Sequence, residues 1–234
     1  MSRSVLVTGG NRGIGLGIAE AFAAAGDKVA VTYRSEPGPG EFFSVRCDVR
    51  DAASVRDAFE QVRAQQGPIE VLVANAGMTK DGLLLTMSDA DFSEVMDTNL
   101  MGAVRCVREA LGDMVRARWG RVILLSSTSG LQGSPGQANY AASKAALLGL
   151  ARSLAWELGP RKVTVNAVAP GYIDTDMTRP VSGKRKEELV RQIPMRRIGR
   201  VEEVTGLVRF LAGPEADYIT GAFIPVGGGL AMGT

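Results

Sequence analysis

Histidine is absent from all 234 residues. That absence excludes a serine–histidine–aspartate triad, a cysteine–histidine dyad and the usual histidine-bearing zinc sites, so any acid or base here is another residue type. Cysteine is nearly absent: Cys47 and Cys106 are the only two, and neither belongs to a paired motif. They read as small core residues in a reducing compartment, with no disulfide and no metal expected. Long apolar runs are missing as well. No stretch approaches the roughly 20 residues of a membrane span, and the start passes directly into a strand without a cleavable apolar region. A cytoplasmic protein is expected. Charge of one sign is also lacking: 27 Lys and Arg against 25 Asp and Glu leave a net charge of +2, too little for general nucleic-acid or membrane binding.

What is present is an ordinary globular composition, 45% hydrophobic and 22% charged. A chain of this length fits one α/β domain, so residues 1–234 are expected to form a single unit. Short apolar runs at 5–8, 29–33, 43–47, 71–74, 122–125, 163–168 and 223–226 alternate with segments of helical periodicity at 15–25, 51–65, 91–116, 139–158 and 201–211. Strands buried on both faces and separated by helices predict a doubly wound (Rossmann) parallel sheet of about seven strands. The connection at 34–42 contains Ser-Glu-Pro-Gly-Pro-Gly and is too short and too breaker-rich for a helix. Residues 170–197 mix Gly, Pro and charge beyond the sixth strand; they read as an irregular lid over the strand ends where such sheets bind ligands.

The first strand leads into Thr8-Gly9-Gly10-Asn11-Arg12-Gly13-Ile14-Gly15 and then an Ala-rich helix. Glycines there admit positive φ and let N–H groups approach a pyrophosphate at the positive end of a helix. A tight strand-to-helix turn is the plain alternative, and its place after strand one favours a nucleotide. The spacing Gly9, Gly13, Gly15 is not that of the common dinucleotide fingerprint. At the end of strand two, where an NAD site places a carboxylate, stands Thr32-Tyr33-Arg34. Arg34 and Arg12 are suited instead to clamp a 2′-phosphate, which predicts NADPH over NADH.

Tyr140 and Lys144 are spaced i, i+4 and share one helical face. A free phenol has a pKa near 10, about three units too high for ready proton exchange at neutral pH, and a nearby ammonium favours phenolate. Such pairs also occur on exposed helices without chemistry. Ser127 stands thirteen residues before Tyr140, just after an apolar strand, where a hydroxyl could hold a substrate oxygen. Ser126, Thr128 and Ser129 are its rivals, and composition does not choose among the four.

With these motifs together, the chain resembles the short-chain dehydrogenase/reductase family over essentially its whole length. Thr8 to Gly15 resembles the family's cofactor turn, Asn75-Ala76-Gly77 its motif after strand four, Asn99 its helix-four asparagine, and Pro170-Gly171 its pair after strand six. The resemblance implies that Ser127, selected by its spacing, steadies a carbonyl oxygen and that Tyr140 protonates it while the nicotinamide delivers hydride. It implies that Lys144 binds the nicotinamide ribose and lowers the tyrosine pKa, and that Asn99 holds a water linking Lys144 to solvent. Asp48 and Val49 look like adenine contacts, with a helix N-cap as the other reading of Asp48. Ile173 and Thr175 look like contacts to the carboxamide end.

The subfamily most resembled reduces 3-oxoacyl thioesters of acyl carrier protein in fatty acid biosynthesis. That likeness implies an acidic carrier docking on Arg118 and Arg161, for which offsetting of helix dipoles is the competing reading, and a homotetramer. Reduction of another ketone, aldehyde or polyketide, and a non-catalytic NADPH-sensing module, are the alternatives. Gly227-Gly228-Gly229 is expected to give a more mobile tail than the subfamily's single pair.

Overall fold

In the computed structural model, which describes residues 2–40, 42–175 and 183–232, seven parallel strands form one sheet in the order β3-β2-β1-β4-β5-β6-β7. These are β1 Ser4–Val7, β2 Lys28–Tyr33, β3 Phe43–Arg46, β4 Val71–Ala74, β5 Gly120–Leu125, β6 Val163–Pro170 and β7 Phe223–Val226. Every residue of β1, β4, β5 and β6 is buried, as expected for parallel strands covered on both faces. Alternation along each strand feeds two cores. Leu6, Leu72, Val122 and Leu124 point into one, with α2 (Ala52–Gln66), α4 (Gly102–Ala117) and α6 (Ala138–Leu158). Val5, Val7, Val73 and Ile123 point into the other, with α1 (Gly13–Ala24) and α8 (Val201–Leu211). The doubly wound reading is therefore correct. The order reverses between β1 and β4, which opens a crevice at the strand C-termini.

The connection at 34–42 has no helix; it folds back on the first turn, where Asn11 Nδ2 donates to the Glu36 carbonyl at 3.1 Å. Three expectations need correction. The helix expected at 91–116 is two helices, α3 (Asp89–Met96) and α4, joined by a π-helical turn at Asp97–Met101. Hydrophobic periodicity does not register one widened turn. The stretch at 170–197 is not irregular throughout: Ile173 bridges to Gly199, and a helix, α7, spans Gly183–Gln192. Its charged sequence offers little apolar pattern; the part of the expected lid at 176–182 lies outside the described residues.

Gly227-Gly228-Gly229 is clamped, not loose. A Cβ on Gly228 would lie 2.9 Å from Ile193 and one on Gly229 would lie 2.7 Å from Pro194, while the Met195 amide donates to the Gly228 carbonyl at 3.0 Å. Both glycines take positive φ, so the run makes a tight turn beneath the end of α7. Among the described residues no helix is long and apolar enough to cross a membrane.

Candidate active site

The crevice between β1 and β4 opens into a cavity of about 860 Å³. Its first wall is the glycine turn, built on buried hydroxyls. Thr8 Oγ1 accepts from the amides of Asn75 and Ala76 at 3.0 Å each, and Asn75 Nδ2 donates to the carbonyls of Thr8 and Gly9 at 2.9 and 3.0 Å. Thr32 Oγ1 accepts the Gly9 amide at 3.1 Å. Gly15 must be glycine, because a Cβ there would sit 2.4 Å from Asn75 Nδ2. The α1 N-terminus has Arg12 as an extended N-cap without a side-chain cap bond, and no acidic residue follows in its first turn. Its amides thus face the cavity beside two guanidinium-bearing residues, Arg12 and Arg34. This donor set suits a pyrophosphate and a further phosphate.

Gly9, Asn11, Arg12, Gly13, Ile14, Gly15, Arg34, Asp48, Val49, Asn75, Ala76, Gly77, Ser127, Tyr140, Lys144, Pro170, Gly171, Ile173 and Thr175 all line this one cavity. Asn99 lies just behind the lining. Asp48 is not the α2 cap: Asp51 is, accepting from the Ala53 amide at 2.9 Å. Asp48 instead accepts from Arg50 Nε at 3.0 Å and Nη2 at 2.7 Å, and that guanidinium holds its carboxyl down at about 2. Cys47 also borders the cavity, and burial pushes its thiol up to about 11, so it is not a thiolate at neutral pH.

The four hydroxyls after β5 are sorted by their partners. Ser126 Oγ is spent on the Lys144 carbonyl at 2.8 Å. Ser127 Oγ accepts the Ser129 amide at 3.1 Å, and it is the one of the four hydroxyls that opposes the rise of the Tyr140 phenol. Thr128, whose amide bonds the Pro170 carbonyl at 3.0 Å, and Ser129, the first residue of the short helix α5 (Ser129–Gln132), border the same wall. Ser127 shares the cavity with the phenol and is the hydroxyl that acts on it.

Lys144 is 4% exposed, and its Nζ donates to the Leu125 carbonyl at 2.7 Å while lying 5.7 Å from the Tyr140 ring centroid. Burial pushes its ammonium down to about 8. The Tyr140 phenol is raised above its ordinary value, chiefly by burial, with Ser127 opposing and the Asp81 carboxylate adding to the rise. This is opposite to the lowering expected from Lys144. Lys144 is not among the groups that act on the phenol here, its ammonium being turned toward the Leu125 carbonyl, so removal from water sets the direction.

Asn99 owes its place to the π turn. Its Oδ1 accepts the Met78 amide at 2.8 Å, and its Nδ2 donates to the Met78 carbonyl at 2.9 Å and to Ser143 Oγ at 3.0 Å. Ser143 and Asn139 (buried at the start of α6) escape a motif-based reading, and Thr8 enters it only as the first residue of the turn; the available signal was a buried polar residue beside a known motif.

Arg118 and Arg161 are brought together, but not to the cavity. Arg118 ends α4 in the left-handed region and donates to the Pro160 carbonyl at 3.1 Å, beside the 3-10 turn Gly159–Arg161. That turn follows the C-terminus of α6, whereas Tyr140 is near its N-terminus, and a 21-residue helix spans about 30 Å.

A family profile described as Enoyl-(Acyl carrier protein) reductase matches residues 9–231. The chain is 52% identical over 233 residues to the 3-oxoacyl-[acyl-carrier-protein] reductase MabA of Mycobacterium tuberculosis, covering 100% of this chain and 94% of that protein. It is 43% identical over 244 residues to the 3-oxoacyl-[acyl-carrier-protein] reductase FabG of Staphylococcus aureus, covering 99% of each.

Proposed function

The chain belongs to the short-chain dehydrogenase/reductase family, whose reductases use nicotinamide cofactors, and from that premise we propose that it reduces 3-oxoacyl thioesters of acyl carrier protein to 3-hydroxyacyl thioesters with NADPH in fatty acid biosynthesis. The observation that carries this reading is that Ser127, Tyr140 and Lys144 line the same cavity as the glycine turn and the N-terminus of α1, whose amides suit an anion.

The reduced nicotinamide, when bound, supplies the hydride for the carbonyl carbon. The protein's part is to place and protonate the oxygen. Ser127 would donate a hydrogen bond to that oxygen, and Tyr140, a phenol and so protonated at neutral pH, gives up its proton as negative charge develops there. Lys144 presents its ammonium to the nicotinamide ribose beside the phenol, and Asn99 holds the Met78 backbone and the α6 turn in register. Gly9, Asn11, Gly13, Ile14 and Gly15 would hold the pyrophosphate, with Asn75, Ala76 and Gly77 as further cofactor contacts. Asp48 and Val49 take the adenine; Pro170, Gly171, Ile173 and Thr175 take the carboxamide end. Arg12 and Arg34 take the 2′-phosphate, since no carboxylate ends β2 to receive a ribose hydroxyl. Leu189 and Gln192 of α7 border the cavity and cover the substrate.

Two hydrogen-bonding groups aimed at one oxygen suit reduction at a carbonyl carbon, whereas an enoyl thioester takes its proton on carbon. The names of MabA and FabG support the same choice over the enoyl description. Carrier docking on Arg118 and Arg161 and a cytoplasmic homotetramer belong to the same reading, and Trp156, 87% exposed on α6, supports an assembly. NADPH oxidation with 3-oxoacyl, trans-2-enoyl and simple ketone substrates tests this function. Turnover confined to simple ketones or enoyl thioesters would overturn it.

A further inference from the structure

The first turn of α6 is tied to the loop after β4 by an interaction that the chemistry above does not use. Asn139, the second residue of α6, is fully buried. Its Oδ1 accepts the Tyr140 amide at 2.7 Å, and its Nδ2 donates to the Lys80 carbonyl at 3.0 Å. The N-cap residue Gln137 makes no capping bond, so Asn139 supplies a partner for one of the otherwise orphaned first-turn amides. That amide belongs to the residue carrying the phenol.

Two neighbouring bonds run between the same segments: the Gly82 amide to the Gly136 carbonyl at 2.8 Å, and Gln137 Nε2 to Asp81 Oδ1 at 3.0 Å. The loop is held from its other side too. Lys80 Nζ pairs with Glu94 at 3.0 Å, Glu94 with Arg50 at 3.0 Å, and Arg50 with Asp48 at 2.7 Å, at the far end of the cavity. A buried carboxamide whose donor and acceptor are each committed to a different segment has no freedom to follow one without the other.

We propose that Asn139 is a positioning residue for Tyr140, tethering the first turn of α6 to loop 80–82 so that the phenol's placement follows the placement of that loop. This rests on Tyr140 being the proton donor. The tether, not the helix-end bond alone, is the functional element, and Asn139→Asp separates the two. An aspartate keeps the acceptor for the Tyr140 amide but offers no N–H to the Lys80 carbonyl.

The test measures kcat on a 3-oxoacyl thioester and the NADPH dissociation constant for wild type, Asn139→Asp, Asn139→Ala, Gln137→Ala and Tyr140→Phe. Asn139→Asp is expected to lose about 10- to 100-fold in kcat, nearly as much as Asn139→Ala, with NADPH binding within about threefold of wild type, as displacement of a reacting group by around 1 Å predicts. Gln137→Ala, which deletes an exposed bond of the same set, is expected to lose about two- to fivefold. Wild-type turnover by Asn139→Asp would reduce Asn139 to a helix-end cap and overturn the proposal. Equal loss of NADPH binding and kcat would overturn it as well. Should both Asn139 variants fail to fold, Gln137→Ala decides, and unchanged kcat there contradicts the tether. Turnover surviving in Tyr140→Phe would strike the underlying assignment instead, whereas an inactive Tyr140→Phe beside a fully active Asn139→Asp would strike the tether alone.

Discussion

The two ends of the sheet treat buried cations differently. At the N-terminal ends of the strands, cations drawn partly or wholly out of water meet carboxylates: the side chains of Arg3 and Arg63 stay 24% and 28% exposed, that of Arg121 hardly at all. Arg3 pairs with Asp27 at 2.6 Å, Arg63 with Asp113 at 2.7 Å, and Arg121, with 2% of its side chain exposed, pairs with Asp217 while stacking on Trp119. At the C-terminal ends, Lys144 is as deeply buried and has one backbone carbonyl and no paired carboxylate among the described residues. The first arrangement offsets part of the cost of desolvation with an opposite charge, although burial still lowers the Arg121 guanidinium below its ordinary value against the pull of Asp217. The second leaves that cost in place, which depresses the ammonium to about 8 and keeps a cation available for another partner. One end is therefore scaffold whose cations are paired, and the other leaves its cation, among the described residues, without a carboxylate beside the reacting groups.

Substitutions at the two ends should fail differently. The largest effect is expected from Tyr140→Phe, which removes the donor proton and little else. Turnover of a 3-oxoacyl thioester should fall by about 10³-fold, with NADPH titration unchanged within about twofold. Replacing Arg12 and Arg34 together by alanine should lower kcat/KM for NADPH by about 100-fold and leave that for NADH within about threefold, since only the former has the extra phosphate. Arg118→Glu with Arg161→Glu should raise KM for a carrier-bound substrate about tenfold and leave that for a short non-carrier thioester alone.

The remaining effects fall on stability. Asp217→Ala strands the buried Arg121 guanidinium and should cost about 2 kcal/mol in urea unfolding, less than a fully buried pair because Asp217 is 63% exposed. Activity of the folded enzyme should not change. Lys144→Met should behave in the reverse way: inactive, yet at pH 7 at least as stable as wild type. Because the folded pKa of Lys144, about 8, lies below the unfolded 10.5, the unfolded chain binds more protons between those values. Wild type should gain about 1.5 kcal/mol on the variant from pH 8 to 9.5 in parallel unfolding curves. A constant gap would mean that Lys144 finds a compensating charge.

The scaffold end and the crevice were not equally legible in the sequence. Strands such as 71–74 and 122–125 stood out because apolar residues buried on both faces leave an unbroken run. Tyr140 and Lys144 followed from helical spacing, and the structure places both on the cavity with Ser127. The helix at Gly183–Gln192 was missed because its charged residues give almost no apolar stripe. The π turn was missed because one extra residue in a turn leaves composition untouched, although it carries Asn99 to Met78. Asp48 was weighed as a cap when Asp51 does that work, two acids three residues apart being indistinguishable by pattern. The rise of the Tyr140 pKa depends on how much protein surrounds the phenol, and spacing along a helix does not report that.

The central claim is that this cavity transfers hydride to the keto carbon of a 3-oxoacyl thioester. The most direct measurement incubates the protein with a 3-oxoacyl-loaded acyl carrier protein and NADPH deuterated at the transferable position of the nicotinamide, then locates the label by mass spectrometry. The account predicts a 3-hydroxyacyl product with one deuterium on carbon 3. Unchanged 3-oxoacyl carrier protein, or label appearing only in a saturated acyl chain from an added enoyl thioester, would contradict it.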